Sequence, residues 1–373
     1  MSDEFNRIVV FLPNWVGDVV MASPVLGALR ARYPAAHIAH FGRAVSLAAA
    51  DGAGWADETI LDARDGGVLG VLRAGRSLRR GKFDAALLLP NSFRAALAAR
   101  LGRIKTRVGY ARDGRGWLLS HAMLPFRDDR GRLVPVPTIE YYVRLAAMLA
   151  IEPASRAMSL GVRDEDDRAA AELLAQAGAD ESRPLVLMNP GASFGPSKMW
   201  ELDRFAAVAD ALIERRGAQI VINASPAERG IAAQVALAMR HEPLVNFADR
   251  DNSLGLLKGL VKRCRLVVTG DTGVRHIAAA MGAGVVTLFG STDPVWAQID
   301  YPRERILRVD VPCSPCQRKM CDRPPGPIYH QCMAAISPEM VLEQALALLD
   351  EPPGATHNSA VRAPDLQSEQ DHP

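Results

Sequence analysis

Four short segments hold the residue types best suited to chemistry. The first, Pro13-Asn-Trp-Val-Gly17-Asp18, follows an apolar run and precedes a helical one. A carboxylate at such a corner repels phosphate, yet it is suited to taking a proton from an attacking hydroxyl. The second, Asn189-Pro-Gly-Ala-Ser193-Phe-Gly-Pro-Ser-Lys198-Met-Trp200, also leaves an apolar run. Small residues there let backbone amides approach a ligand, Ser193 offers a hydroxyl, and Lys198 supplies a point charge for a phosphate. The spacing of Gly191, Gly195 and Lys198 is not that of a Walker loop. The third, Asn223-Ala-Ser-Pro-Ala-Glu228, places an acid where nucleotide folds bind a ribose hydroxyl. The fourth, Thr269-Gly-Asp271-Thr272-Gly273-Val-Arg-His276, places four polar candidates at the start of a helix, where free N–H groups favour anions. Each has a structural reading as well: Asp18 and Asp271 as helix N-caps, the Lys198 segment as a Gly/Pro-rich turn with a solvated lysine, and Glu228 as a first-turn acid.

These corners need strands and helices to aim them, and the pattern supplies both. Arg7–Leu12, His37–Gly42, Glu58–Leu61 and Ala85–Leu89 read as strands separated by helical segments. The first of those helices runs to about Tyr33, with Ser23-Pro24 opening its regular part. Residues 100–137 read as a long Arg- and Gly-rich loop, Thr138–Ile151 as a helix, and 152–167 as a connector. The alternation then repeats with strands at Leu185–Met188, Gln219–Asn223, Leu244–Phe247, Leu266–Thr269 and Val285–Phe289. Such alternation predicts an α/β chain of two Rossmann-like, doubly wound domains facing a cleft. The expected boundaries are 1–165 and 166–351, with a terminal helix at 337–349 and an unpacked tail at 352–373.

Composition narrows the class. With 373 residues, 49% hydrophobic and 23% charged, and a net charge of +2, the chain reads as a globular α/β protein and gives no general nucleic-acid signature. No apolar run approaches membrane-spanning length, and the acidic start Met1-Ser-Asp-Glu is unlike a secretory leader. The expected location is therefore cytoplasmic, with any membrane contact peripheral. A nicotinamide oxidoreductase is disfavoured because no G-x-G-x-x-G follows the first strand. Cys313, Cys316, Cys321 and Cys332 form a cluster of thiols or zinc ligands; the spacing fits no standard zinc ribbon and favours thiols. Cys264 reads as core. Asp164-Glu-Asp166 and Asp249-Arg-Asp251 mimic an Asp-x-Asp metal motif but sit where helix-start acids are expected.

The set of segments resembles glycosyltransferase family 9, the heptosyltransferases, and within it the heptosyltransferase II group. The resemblance rests on Leu12–Pro24, Leu89-Pro-Asn-Ser92, Asn189–Trp200, Gly270–His276 with Leu288–Pro294, and Cys313-Ser-Pro-Cys316. It implies a GT-B fold with the acceptor on the first domain and the nucleotide sugar on the second. It further implies inverting, metal-independent transfer of heptose from ADP-heptose to the lipid A-core of lipopolysaccharide at the inner-membrane surface, with no cofactor beyond the donor. Asp18 would then be the general base and Lys198 the group that stabilises the departing diphosphate. Ser193, Glu228, Asp271, Thr272, Gly273 and His276 would bind the donor, and Gly17 would be a substrate-binding residue of the first domain. Asn91, Arg107 and Arg112 are the expected acceptor-side residues, the arginines as forks for an anionic core. Met199 and Val274-Arg275 depart from the family pattern and are expected to touch substrate detail. The rival readings are a heptosyltransferase of the first or third kind or a related transferase using another nucleotide sugar, and a non-catalytic nucleotide-sugar binder, which would keep Lys198 and Asp271 and dispense with Asp18.

Overall fold

Two parallel six-stranded sheets organise the chain, and their strands connect in the same order. The computed structural model describes residues 5–62 and 67–352. The first half contains β1 (Arg7–Phe11), α1 (Val16–Met21), α2 (Ser23–Arg32), β2 (His37–Gly42), α3 (Ala44–Ala50), β3 (Glu58–Leu61) and α4 (Gly67–Gly81). It continues with β4 (Ala85–Leu88), α5 (Phe93–Leu101), β5 (Thr106–Tyr110), β6 (His121–Met123) and α6 (Thr138–Ala147). The second half begins with α7 (Asp164–Gln176), β7 (Leu185–Asn189), α8 (Leu202–Arg216), β8 (Gln219–Ile222), α9 (Arg229–Ala238) and β9 (Val245–Asn246). It ends with α10 (Leu254–Val261), β10 (Leu266–Gly270), α11 (Gly273–Met281), β11 (Gly284–Phe289), β12 (Glu304–Arg308), α12 (Gln331–Ala334) and α13 (Pro338–Asp350).

The strand orders are β3-β2-β1-β4-β5-β6 and β12-β11-β10-β7-β8-β9. Read from its own first strand, the second sheet repeats the 3-2-1-4-5-6 order of a doubly wound nucleotide-binding fold. In such sheets the order reverses between the first and fourth strands, and ligands bind beyond the carboxyl ends there. Those strands here are β1 and β4, then β7 and β10. Asp18 follows β1, Asn91 follows β4, Lys198 follows β7 and Asp271 follows β10, so the chemistry-bearing residues surround the two switch points. The central strands are fully buried runs such as Ile8–Val10, Val186–Met188 and Leu266–Val268, as sheets covered on both faces require.

Several boundaries differ from the sequence reading. Residues 100–137 are not one loop: they carry β5 and β6, which extend the first sheet. The second sheet gains an edge strand, β12. The first helix is two helices joined at Ala22, and Gly17 and Asp18 lie in the first turn of α1. Helix α7 starts at Asp164, so the acids at 164–167 occupy its first turn, where the helix dipole favours them. The expected tail, 352–373, lies outside the described residues except for Pro352. No helix among the described residues is long and apolar enough to cross a membrane.

The halves meet through specific contacts. Lys258, on α10 and only 1% exposed, donates from Nζ to the carbonyls of Ala48 at 3.2 Å and Asp51 at 2.7 Å. A cation thus caps the carboxyl end of α3 from the other half. Thr138 at the start of α6 donates through Oγ1 to the Trp296 carbonyl at 2.7 Å.

Candidate active site

The amino ends of α1 and α11 cross at two glycines. A Cβ placed on Gly17 would lie 2.8 Å from His276 Cδ2, and one on Gly273 would lie 2.9 Å from Val16 Cβ. Only hydrogen at both positions lets the two helices, one from each half, approach this closely. Gly273→Ala is therefore expected to push Val16 and α1 away from α11. Because a shift of about 1 Å in reacting groups can lower rates on the order of 100-fold, kcat should fall by about that factor. Steady-state rates should show the loss while the thermal midpoint moves by only a few degrees.

This crossing forms one wall of a cavity of about 270 Å³ lined by Gly17, Asp18, Ser193, Phe194, Lys198, Asp271, Thr272, Gly273 and His276, among others. Val16, Ser193, Thr272 and Gly273 also line a second cavity of about 290 Å³, whose lining includes Glu228, so the two adjoin.

Electrostatics in the first cavity are set by one carboxylate that is fully partnered and one that is not. Asp271 Oδ2 accepts from Lys198 Nζ at 2.6 Å and from Thr292 Oγ1 at 2.8 Å. Burial alone would raise the Asp271 carboxyl, but the Lys198 charge and hydrogen bond, with help from Arg275, hold it below its ordinary value. Lys198 also donates to the Asp271 carbonyl at 2.9 Å and lies over the Phe194 ring. An ammonium has three donors, so one remains for a ligand oxygen. The Asp18 carboxyl is pushed up to about 6, chiefly by loss of solvent and next by the Asp271 charge, against a downward pull from Lys198. Neither aspartate is a helix cap. Trp15 and Thr272 occupy the N-cap positions of α1 and α11 with no side-chain cap bond, leaving the first-turn amides of α11 open to an anion.

His276 is neutral at working pH: burial, then the Arg275 charge, lower it to about 3. Its Nδ1 is buried without a hydrogen-bond partner among the described residues. Glu228 does have a structural task. It forms a capping box with Ser225, accepting from Ser225 Oγ at 2.5 Å, while its carboxyl lies against Gly191, where a Cβ would meet it at 2.5 Å.

The profile of Glycosyltransferase family 9 (heptosyltransferase) matches residues 71–325. The chain belongs to glycosyltransferase family 9.

Whole-length relatives agree with that membership. Lipopolysaccharide heptosyltransferase 2 of Salmonella typhimurium is 29% identical over 355 residues, covering 92% of this chain and 99% of that protein. The solved ADP-heptose lps heptosyltransferase II of Escherichia coli superposes with a TM-score of 0.73 at 27% identity, covering 92% of this chain and 98% of the other. A family 9 glycosyltransferase from Veillonella parvula shares the fold, with a TM-score of 0.78 at 22% identity over 94% of this chain and 98% of that one. The two facing Rossmann-like halves of this glycosyltransferase are the GT-B arrangement.

Other expected site residues of the glycosyltransferase lie elsewhere. Asn91 Oδ1 accepts from Arg115 and from Tyr141 Oη, each at 3.2 Å, and Arg112 lies beside Tyr141 at the carboxyl edge of β5. Arg107 is a correction: it sits near the amino end of β5, and its guanidinium holds the carbonyls of Ile104, Lys105 at 2.9 Å and Leu118 at 2.7 Å. That ties a loop on the side away from the cleft. Of the departures from the family pattern, Val274 does line the second cavity, whereas Arg275 and Met199 are corrected. Arg275 is fully buried, paired through two nitrogens with Glu304 at 2.5 and 2.9 Å, and bonded to the Ala297 carbonyl. Met199 lines a separate cavity with Trp200, Cys321 and His330.

All five cysteines are free, and Cys264 is core, its thiol pushed up to about 12 by burial. Cys332 is raised by burial and then by the neighbouring thiols of Cys313, Cys316 and Cys321. Among the described residues no group of three or more His, Cys, Asp or Glu is arranged to hold a metal ion. Sequence reasoning missed Arg115, which is fully buried and gathers the carbonyls of Pro90, Ser92 and Tyr110 beneath the acceptor-side loop. An arginine in a Gly-rich stretch carries no signal of such a role.

Proposed function

We propose that this glycosyltransferase transfers a heptose from ADP-heptose to the inner core of lipopolysaccharide by a single inverting displacement. The observation that carries the reading is the crossing of α1 and α11. It sets Asp18, from the first half, within electrostatic reach of Lys198 and Asp271, from the second. Asp18 takes the acceptor hydroxyl's proton as that oxygen attacks the anomeric carbon. The leaving diphosphate departs from the opposite face. Lys198, Ser193 and the open amides of α11 meet the charge growing on it, and their positions are fixed before reaction. Lys198 stands where a cation is needed, so the reading gives a metal ion no part.

The acceptor side is proposed at the carboxyl edge of β4 and β5, with Asn91 and Arg112 as contacts. Phe93 and Trp117 stand exposed there with ring centroids 6.2 Å apart, which supports peripheral contact with a lipid-borne acceptor at the inner-membrane surface. Arg112→Ala should raise the acceptor KM about tenfold, the effect of losing one charged hydrogen bond, with the donor KM unchanged. Arg107→Ala should instead lower the unfolding midpoint and leave both KM values in place.

The functional reading is checked by incubating the enzyme with ADP-heptose, alone and with a heptose-deficient core acceptor. Acceptor-dependent ADP release, with a product heavier by one heptose, is expected. A stronger preference for another nucleotide sugar, or ADP release indifferent to the acceptor, would contradict it.

A further inference from the structure

The second cavity holds a polar feature that the proposed chemistry leaves unused. Three asparagines form a hydrogen-bonded row from the end of β7, past the end of β8, to the loop before α10. Asn189 Nδ2 donates to Thr269 Oγ1 at 2.9 Å and faces the Gly191 carbonyl at 3.5 Å. A carbonyl only accepts, so Asn189 turns its amide nitrogen that way and its oxygen toward Asn223. Asn223 Nδ2 accordingly donates to Asn189 Oδ1 at 2.7 Å, and Asn252 Nδ2 donates to Asn223 Oδ1 at 2.6 Å. The polarity set at Gly191 therefore passes along the row and leaves Asn252 with its oxygen at the free end.

That oxygen is buried and has no hydrogen-bond partner among the described residues. Asn252 lines the cavity beside Leu254, Leu257 and Ile277. A buried acceptor is unfavourable until something donates to it. Turning the amide round would not help, because it would break the bond to Asn223. A wall of Leu254, Leu257 and Ile277 beside one unpaired acceptor fits a flat heteroaromatic ring that carries an amino group.

We propose that Asn252 Oδ1 accepts from the exocyclic amino group of the donor's nucleobase, so that the Asn189–Asn223–Asn252 row selects a 6-aminopurine. The inference rests on the reading of this half as the nucleotide-sugar domain. Hypoxanthine and uracil present a carbonyl where adenine presents its amine, and an acceptor would then face an acceptor. Selectivity of this kind is strong because the unmatched base leaves a buried group unpaired.

Calorimetric titration with three diphosphates resolves the question: ADP, purine riboside 5′-diphosphate, which lacks only the amino group, and 2′-deoxy-ADP. The wild type should bind ADP on the order of tenfold tighter than the purine riboside compound. Asn252→Ala should bring that ratio to within about twofold and leave the ADP to 2′-deoxy-ADP ratio unchanged. The ligands carry equal charge, so a general loss of affinity in the variant cancels from each ratio. A wild type indifferent to the amino group, or a ratio that Asn252→Ala leaves intact, overturns the assignment. A collapse of the 2′-deoxy ratio instead would give the oxygen to the ribose and overturn it as well. Failure of every diphosphate to bind would remove the nucleotide reading itself, and this assignment with it.

Discussion

Asp18→Asn is expected to abolish transfer while making the protein more stable at neutral pH. An amide cannot take the acceptor proton, and general base catalysis contributes on the order of 10² to 10⁴ in rate, so kcat should fall within that range with ADP affinity little altered. In the wild type the carboxyl sits at about 6, so kcat/KM should rise as pH climbs through 6 and level off above it. The variant should lack that limb. The stability change follows from the same shift: the folded value of about 6 exceeds the ordinary aspartate value of 3.8. A carboxyl that holds its proton more tightly when folded opposes folding in its ionised form. The penalty is present above pH 6, shrinks as pH falls, and is gone below the unfolded value. Allowing for partial solvent access, the Asn variant should gain about 2 kcal/mol at pH 8 and almost nothing at pH 3.5. Urea unfolding at the two pH values reads this difference. An equal gain at both would mean that desolvation of Asp18 is not its origin.

Lys198→Ala has the second largest expected effect, and its signature is different. Loss of a preorganised cation at the leaving group should lower kcat on the order of 10² to 10³. Lys198 also pulls the Asp18 carboxyl down, so its removal should move the acid limb of the rate profile to higher pH. Asp271 would keep Thr292 and the more distant Arg275, 3.9 Å away, but would lose its main partner inside a poorly solvated site. Stability should drop by roughly 2 to 3 kcal/mol, because breaking a buried pair strands one charge. Lys198→Ala with Asp271→Asn should recover most of that stability and none of the rate. Denaturation curves and initial rates on the four proteins of this cycle separate the structural part from the chemical one.

What the sequence disclosed and what it hid divide along physical lines. The switch-point corners were legible because each joins a buried strand, whose run is wholly apolar, to a turn rich in Gly, Asp or Asn. Edge strands β6 and β12 were not. His121-Ala-Met is largely exposed, and Glu304-Arg-Ile-Leu-Arg buries none of its residues fully, so neither carries the apolar signature of a core strand. Without β12 the partner of Arg275 is invisible, and the arginine reads as a substrate residue. Arg107 and Arg112 are five residues apart and chemically identical. Only the direction of β5 places one at the cleft edge and the other at the far end. Lys258 and Arg115 are buried yet held by backbone carbonyls, a use of charge that leaves no mark in a sequence read for surface and core. Asn189, Asn223 and Asn252 are spread over 64 positions and become a row only when β7 and β8 lie side by side.

The central claim is that one half supplies the base and the other the leaving-group clamp, with attack and departure on opposite faces of the sugar. The configuration of the new linkage reports on this directly. Nuclear magnetic resonance of the isolated product should show an anomeric configuration opposite to that of the donor. Retention of the donor's configuration would contradict single displacement with Asp18 as the base.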